Sequence, residues 1–101
     1  MDAHVYSPSS ERSRRSARRH MFEVLEAIMR NGRSDLNEVA AKAGYNKFLT
    51  RQAIVLLREV DYVARIRRTS MPIYEITEPG KIAWSIWCGR QRKKLARKLA
   101  A

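Results

Sequence analysis

The stretch NKFLTRQAIVLLREV, residues 46–60, decides the fold, and it reads as one helix with two faces. At about 100° per residue, Leu49, Ala53, Leu56, Leu57 and Val60 fall on one side, with Thr50 and Ile54 at its edge. That side is expected to be core. The other side carries Lys47, Phe48, Arg51, Gln52, Val55 and Arg58. A merely solvated helix flank has no need of Phe and Val beside Lys, Arg and Gln. The outward side is therefore expected to meet a partner.

Upstream, Asn46 suits the N-cap of this helix, and Gly44 a tight turn just before it. Asp35 with Glu38 three residues on predicts a capping box for a short helix, LNEVAAKA, with Leu36, Val39, Ala40 and Ala43 as its inward stripe. Earlier still, Met21, Val24, Leu25, Ile28 and Met29 recur at helical spacing, and Gly32 marks the end of that segment. Ser7 and Pro8, with Ser9 and Ser10 as alternative caps, suit its start.

Downstream of Asp61 the period changes to two. YVARIRR alternates Tyr62, Ala64 and Ile66 against Val63, Arg65 and Arg67, and PIYEIT alternates Ile73 and Glu75 against Tyr74 and Ile76. Two strands joined through TSMP make a β-hairpin, with Ala64 and Ile66 expected inward. Thr77 then caps a last helix, with Pro79 in its first turn and Glu78 at the positive end of its dipole. The predicted order is helix, helix, helix, strand, strand, helix.

The chain has 101 residues, enough for one domain with a modest core, and a net charge of +11. Residues 1–20 hold five Arg against Asp2 and Glu11, whereas residues 21–78 are nearly neutral. From residue 79 onward come Lys81, Arg90, Arg92, Lys93, Lys94, Arg97 and Lys98 with no acid. Cationic ends around a neutral middle suit a polyanion, nucleic acid first and an anionic membrane surface second. No apolar run is long enough to span a membrane, and the N-terminus lacks the apolar stretch of a secretory signal. One cysteine, Cys88, allows no internal disulfide, and His4 and His20 offer no metal-ligand spacing. No nucleophile–base pairing or phosphate loop is legible, so neither an enzyme nor a cofactor is expected.

Three pieces in this order carry a resemblance. LNEVAAKAGYN resembles the first helix and turn of the winged helix-turn-helix fold, with Ala40 where two helices cross closely and Gly44 at the turn. LLREVDYVARI resembles that fold's run from helix end to strand, with Asp61 in a place usually held by Gly. YEITEPGK is similar to the signature that follows the wing in MarR-, PadR- and ArsR-like regulators. The sequence departs from the pattern at Thr50, usually a larger apolar residue, and at Met71 and Pro72, where the wing tip is usually Gly-rich. The resemblance covers roughly residues 20–82 and implies an α+β, mostly α, fold. It would comprise three helices, a two-stranded hairpin wing and a long C-terminal helix.

Double-stranded DNA gives the outward face of the third helix a purpose. The major groove admits one helix and offers hydrogen-bond edges and the thymine methyl. Arg51 can pair with guanine and Gln52 with adenine, while Phe48 or Val55 meets a methyl; Asn46 and Lys47 complete the candidate set. On the hairpin, Arg65, Arg67 and Arg68 suit phosphates or an adjacent minor groove. Arg14, Arg15, Arg18 and Arg19 form a cationic patch if helical and a basic arm if extended, and the sequence leaves that open.

The last helix begins apolar all round, with Ile82, Ala83, Trp84, Ile86, Trp87 and Cys88 on every side. A second protomer is the economical cover, and Trp84, Trp87, Cys88, Gln91, Leu95 and Leu99 are the candidate dimer contacts. The organisation expected is a basic arm or helix extension over residues 1–19, a winged-helix domain over 20–80, and a dimerisation helix with a basic end over 81–101. The expectation is a small homodimeric, cytoplasmic or nucleoid-associated transcriptional regulator that takes no evident small molecule. The alternatives are a low-specificity architectural or partition protein, or a winged-helix module that binds protein.

Overall fold

A computed structural model describes residues 8–66 and 70–100, with side chains from Ser16 onward. Helix α1 spans Pro8–Asn31, strand β1 Ser34–Asp35, α2 Leu36–Ala43, α3 Lys47–Glu59, β2 Val63–Ile66, β3 Ile73–Ile76 and α4 Glu78–Ala100. The stretch after Ser7 is thus helical, and α1 runs on into the domain without a break. Among the described residues no helix is long and apolar enough to cross a membrane.

The expected caps of α2 and α3 are in place, while Ser7, the expected cap of α1, lies outside the described residues. Asp35 accepts the Glu38 amide at 2.9 Å while the Glu38 carboxylate accepts the Asp35 amide at 3.1 Å, closing the capping box. Gly44 ends α2 with φ of 78°, and its N–H donates to the Ala40 carbonyl. Asn46 Oδ1 accepts the Leu49 amide at 2.8 Å and starts α3. Val24, Leu25 and Ile28 of α1, Val39 of α2 and Leu57 of α3 are fully buried and form the centre of the core.

Three features differ from the sequence expectation. The sheet has three antiparallel strands in the order β1-β3-β2, not two. Ser34 pairs with Tyr74 and Asp35 with Ile73, so Asp35 serves both as a strand residue and as the cap of α2. Two residues carry no alternation, which is why β1 left no signal.

The inward side of α3 is made by Thr50, Ala53, Ile54 and Leu57, while Leu49, Leu56 and Val60 are partly exposed. Thr50 is fully buried because its hydroxyl donates to the Asn46 carbonyl at 2.8 Å, which removes the cost of an unpaired polar group.

On β2 the expected faces are exchanged. Val63 is buried and Ala64 is exposed. The register pairs Val63 with Ile76 and Arg65 with Tyr74, so the β2 side that accompanies Tyr74 and Ile76 toward the core is the one bearing Val63. Arg65 shares this side by alternation but is exposed, one pair further along the hairpin.

One junction ties α4 to the domain. Asp61 takes a left-handed backbone, φ 63°, where the resemblance expects glycine. The Thr77 amide donates to the Tyr62 carbonyl at 3.0 Å, and the Thr77 hydroxyl to the Asp61 carbonyl at 2.5 Å. Thr77 Oγ1 also accepts the Gly80 amide at 3.1 Å, capping α4. Gly80 is buried here, and a Cβ on it would run into the Tyr62 carbonyl oxygen. The expected boundary between residues 80 and 81 thus falls inside α4, directly after a residue buried against Tyr62 and Ile76.

Candidate nucleic-acid interface

The outward face of α3 is as the sequence drew it. Lys47, Phe48, Arg51, Gln52 and Val55 are all exposed, Phe48 at 65% and Val55 at 47%. Phe48 therefore does not tuck under the preceding turn. The aromatic neighbour of that turn is instead His20, whose ring meets Tyr45 edge-on at 4.2 Å. Among the described residues no ion pair engages Lys47, Arg51 or Arg58, and the first turn of α3 holds no acid. Three unneutralised cations, two large apolar groups and an amide thus stand on a helix whose N-terminal end favours anions. Asn46 is exposed at that end, but its Oδ1 is committed to the cap.

Two contacts not anticipated from the sequence fix α3 against α1. His20 Nε2 lies 2.8 Å from the Leu49 carbonyl, a contact that requires the proton on Nε2. The Tyr45 hydroxyl donates to Glu23, which also pairs with Arg19 at 3.4 Å. The hydrogen bond to Glu23, with burial second, pushes the Tyr45 phenol above its ordinary value. These partners lie 29 and 22 residues apart in sequence, so no local pattern signals them.

The remaining candidates are distributed differently. Arg65 is exposed on the wing without an ion-pair partner among the described residues, while Arg67 and Arg68 lie outside those residues. The side chains of Arg14 and Arg15 also lie outside them. Arg18 lines a cleft of about 410 Å³ between α1 and α4, together with Phe22, Val60, Ile86, Trp87 and Arg90. It therefore groups with α4, while Arg19 pairs with Glu23.

On α4, Trp87 stacks on Phe22 of the same protomer, with ring centroids 5.5 Å apart and planes 5° from parallel. Trp84 packs on the core, and Cys88 is half-buried, where desolvation pushes its thiol above the ordinary value. Both tryptophans are half-buried within the chain. Ile82 and Ile86 remain 61% and 53% exposed, and Gln91, Leu95 and Leu99 are exposed.

These elements define a winged helix-turn-helix fold: three packed helices, a small antiparallel sheet with a hairpin wing, and a long final helix. The chain shares it with MarR-family transcriptional regulators of known structure. It is similar to Staphylococcus aureus MarR in complex with salicylate and kanamycin, with a TM-score of 0.72 and 18% identity over 79% of this chain and 55% of that one. A MarR family transcriptional regulator from Silicibacter pomeroyi gives a TM-score of 0.72 and 14% identity over 93% of this chain and 66% of that one. The DNA-binding protein Sso10a-2 from Sulfolobus solfataricus gives 0.63 and 22% identity over 78% and 84%. The chain thus spans about half the length of the staphylococcal protein. No sequence-family model matches it, and no curated protein does.

Proposed function

We propose that this chain binds double-stranded DNA sequence-specifically as a homodimeric transcriptional regulator, most simply a repressor that occupies its site in the cytoplasm or nucleoid. Helix α3 enters the major groove, and the wing lies on the backbone or in the adjacent minor groove. The observation that carries this reading is the exposed, unpaired set of Lys47, Phe48, Arg51, Gln52 and Val55 on the helix that this fold presents outward. Among its neighbours in fold are a MarR family transcriptional regulator and a DNA-binding protein. Dimer formation is supported by Ile82, Ile86, Leu95 and Leu99, apolar side chains of α4 that its own domain leaves uncovered.

Selection of bound fragments from random duplex DNA tests the reading. The parent should enrich a defined sequence, and Arg51→Ala and Gln52→Ala should each relax preference at a base pair at a cost of about 1–3 kcal/mol. If every single-base substitution in the selected site competes equally well against parent and variants, α3 is not the reader.

A further inference from the structure

We propose that the C-terminal half of α4 is a second DNA-binding surface, one that holds a phosphodiester backbone without reading sequence. Lys93 and Lys94 lie three and four residues after Arg90, and Arg97 and Lys98 three and four after Lys94, so the five form one stripe along the helix. All five are exposed. From residue 79 to the end of the chain there is no acid to neutralise them.

The stripe resembles the outward face of α3 in this and differs from the cations that are already neutralised. Arg19, Arg30, Arg33 and Lys81 each reach a carboxylate, at 3.4, 3.7, 3.6 and 3.4 Å. The α4 stripe has no such partner among the described residues. Like charges three and four apart disfavour a helix, so this segment carries a repulsion that an external polyanion relieves.

The dimensions also fit. At about 1.5 Å per residue the stripe is about 12 Å long, which is the axial span of about three to four phosphates on one strand of B-DNA. Residues 90–100 are all exposed, and of the stripe only Arg90 reaches back to line the cleft between α1 and α4. Leu95 and Leu99 lie on the flank away from the stripe, so a backbone on one side leaves them available to a second protomer. Two leucines make too narrow an apolar face for a helix that lies in a membrane interface, which sets nucleic acid ahead of an anionic bilayer.

The partner class rests on the DNA-binding reading above, but the stripe does not depend on α3 being the reader. The test is binding of the full chain to a random 20-base-pair duplex across a salt series, by fluorescence anisotropy. Lys93→Gln, Lys94→Gln, Arg97→Gln and Lys98→Gln are combined in one variant that keeps a good helix former at each position and retains both leucines. Its log–log salt slope should be shallower by about three, at ~0.9 for each phosphate no longer neutralised, and its affinity at 0.1 M salt at least tenfold weaker. A second variant, Lys93→Arg with Lys94→Arg and Lys98→Arg, should keep the parent's slope. Circular dichroism should show helicity gained by the parent, and not by the Gln variant, on adding duplex. An unchanged slope in the Gln variant overturns the proposal, as does tighter binding of the parent to phosphatidylserine vesicles than to duplex. Arg51→Ala with Gln52→Ala should weaken binding to a selected site while leaving in place the difference in salt slope that the four Gln substitutions make. A selected-site preference that survives that double substitution counts against α3 and leaves the stripe standing on its slope.

Discussion

Gly80→Ala and Gly89→Ala place the same methyl on the same helix and should move stability in opposite directions. A Cβ at Gly89 meets nothing within 4 Å. There the substitution only removes backbone freedom from the unfolded chain and should stabilise by about 0.5–1 kcal/mol. A Cβ at Gly80 would overlap the Tyr62 carbonyl oxygen and lie 2.8 Å from Ile76 Cγ1 and 3.0 Å from the Tyr62 carbonyl carbon.

Two of those three neighbours are backbone and cannot rotate away. The Tyr62 carbonyl is also held by the Thr77 amide at 3.0 Å, so a shift that admits the methyl strains that bond. Overpacking costs about 1–3 kcal/mol and the weakened hydrogen bond about 1 kcal/mol, against at most about 1 kcal/mol of helix propensity gained. The net is a loss of about 1–3 kcal/mol. Near 100 residues that corresponds to a melting temperature lower by roughly 4–24 °C, while Gly89→Ala should raise it by roughly 2–8 °C. Thermal and urea unfolding at one fixed protein concentration read both effects without confusion from subunit association. A Gly80→Ala protein as stable as the parent would falsify the claim that this glycine exists to let α4 approach the Tyr62 carbonyl.

Two further outcomes are expected. Tyr45→Phe removes the hydroxyl's bond to Glu23 and should cost about 0.5–1.5 kcal/mol in urea unfolding at neutral pH. Because the folded state holds the Tyr45 proton more tightly than the unfolded chain does, this contribution is complete below the ordinary tyrosine value of about 10. It is lost as pH rises through the folded value, so the difference between parent and Tyr45→Phe should shrink at alkaline pH. A difference that grows there would reverse the assignment. Burial pushes the Cys88 thiol up, so at pH 8 iodoacetamide should alkylate it more slowly in the native protein than in urea, and equal rates would place the thiol in solvent.

What the sequence made legible follows a physical divide. The caps at Asp35, Gly44, Asn46 and Thr77 are local chemistry, written within three or four residues, and all are found as expected. The strand faces and the inward side of α3 are settled by what lies across the core, and there local periodicity misled. Ala64 and Val63 are both small and apolar, so alternation alone could not say which turns inward; pairing of Val63 with Ile76 decides it. The bracing of α3 by His20, and of its preceding turn by Tyr45 and Glu23, is tertiary throughout and left no trace in spacing.

The exposed outward residues of α3 were all legible although its inward side was only half so, and the reason bears on recognition. Keeping Ala53 and Leu57 but exchanging Leu49, Leu56 and Val60 for Thr50 and Ile54 rotates the inward centre by roughly 65° about the helix axis. Lys47, Phe48, Arg51, Gln52 and Val55 stay exposed under that rotation because only a narrow arc of the helix is buried. Their order of prominence changes, however. The unrotated helix would point Arg51 straight outward; the observed one centres Phe48, Val55 and Gln52, with Arg51 and Lys47 on one flank. On the proposed reading, Gln52 and Phe48 then sit over the floor of the groove and set base preference. Lys47, nearest the edge, is left to a phosphate wall. Phe48→Ala and Gln52→Ala should accordingly change which duplexes are selected. Lys47→Ala should weaken all of them alike and make the salt slope shallower by ~0.9, the share of one phosphate. A Lys47→Ala protein with altered base preference and an unaltered slope would show that the helix meets DNA in the unrotated orientation.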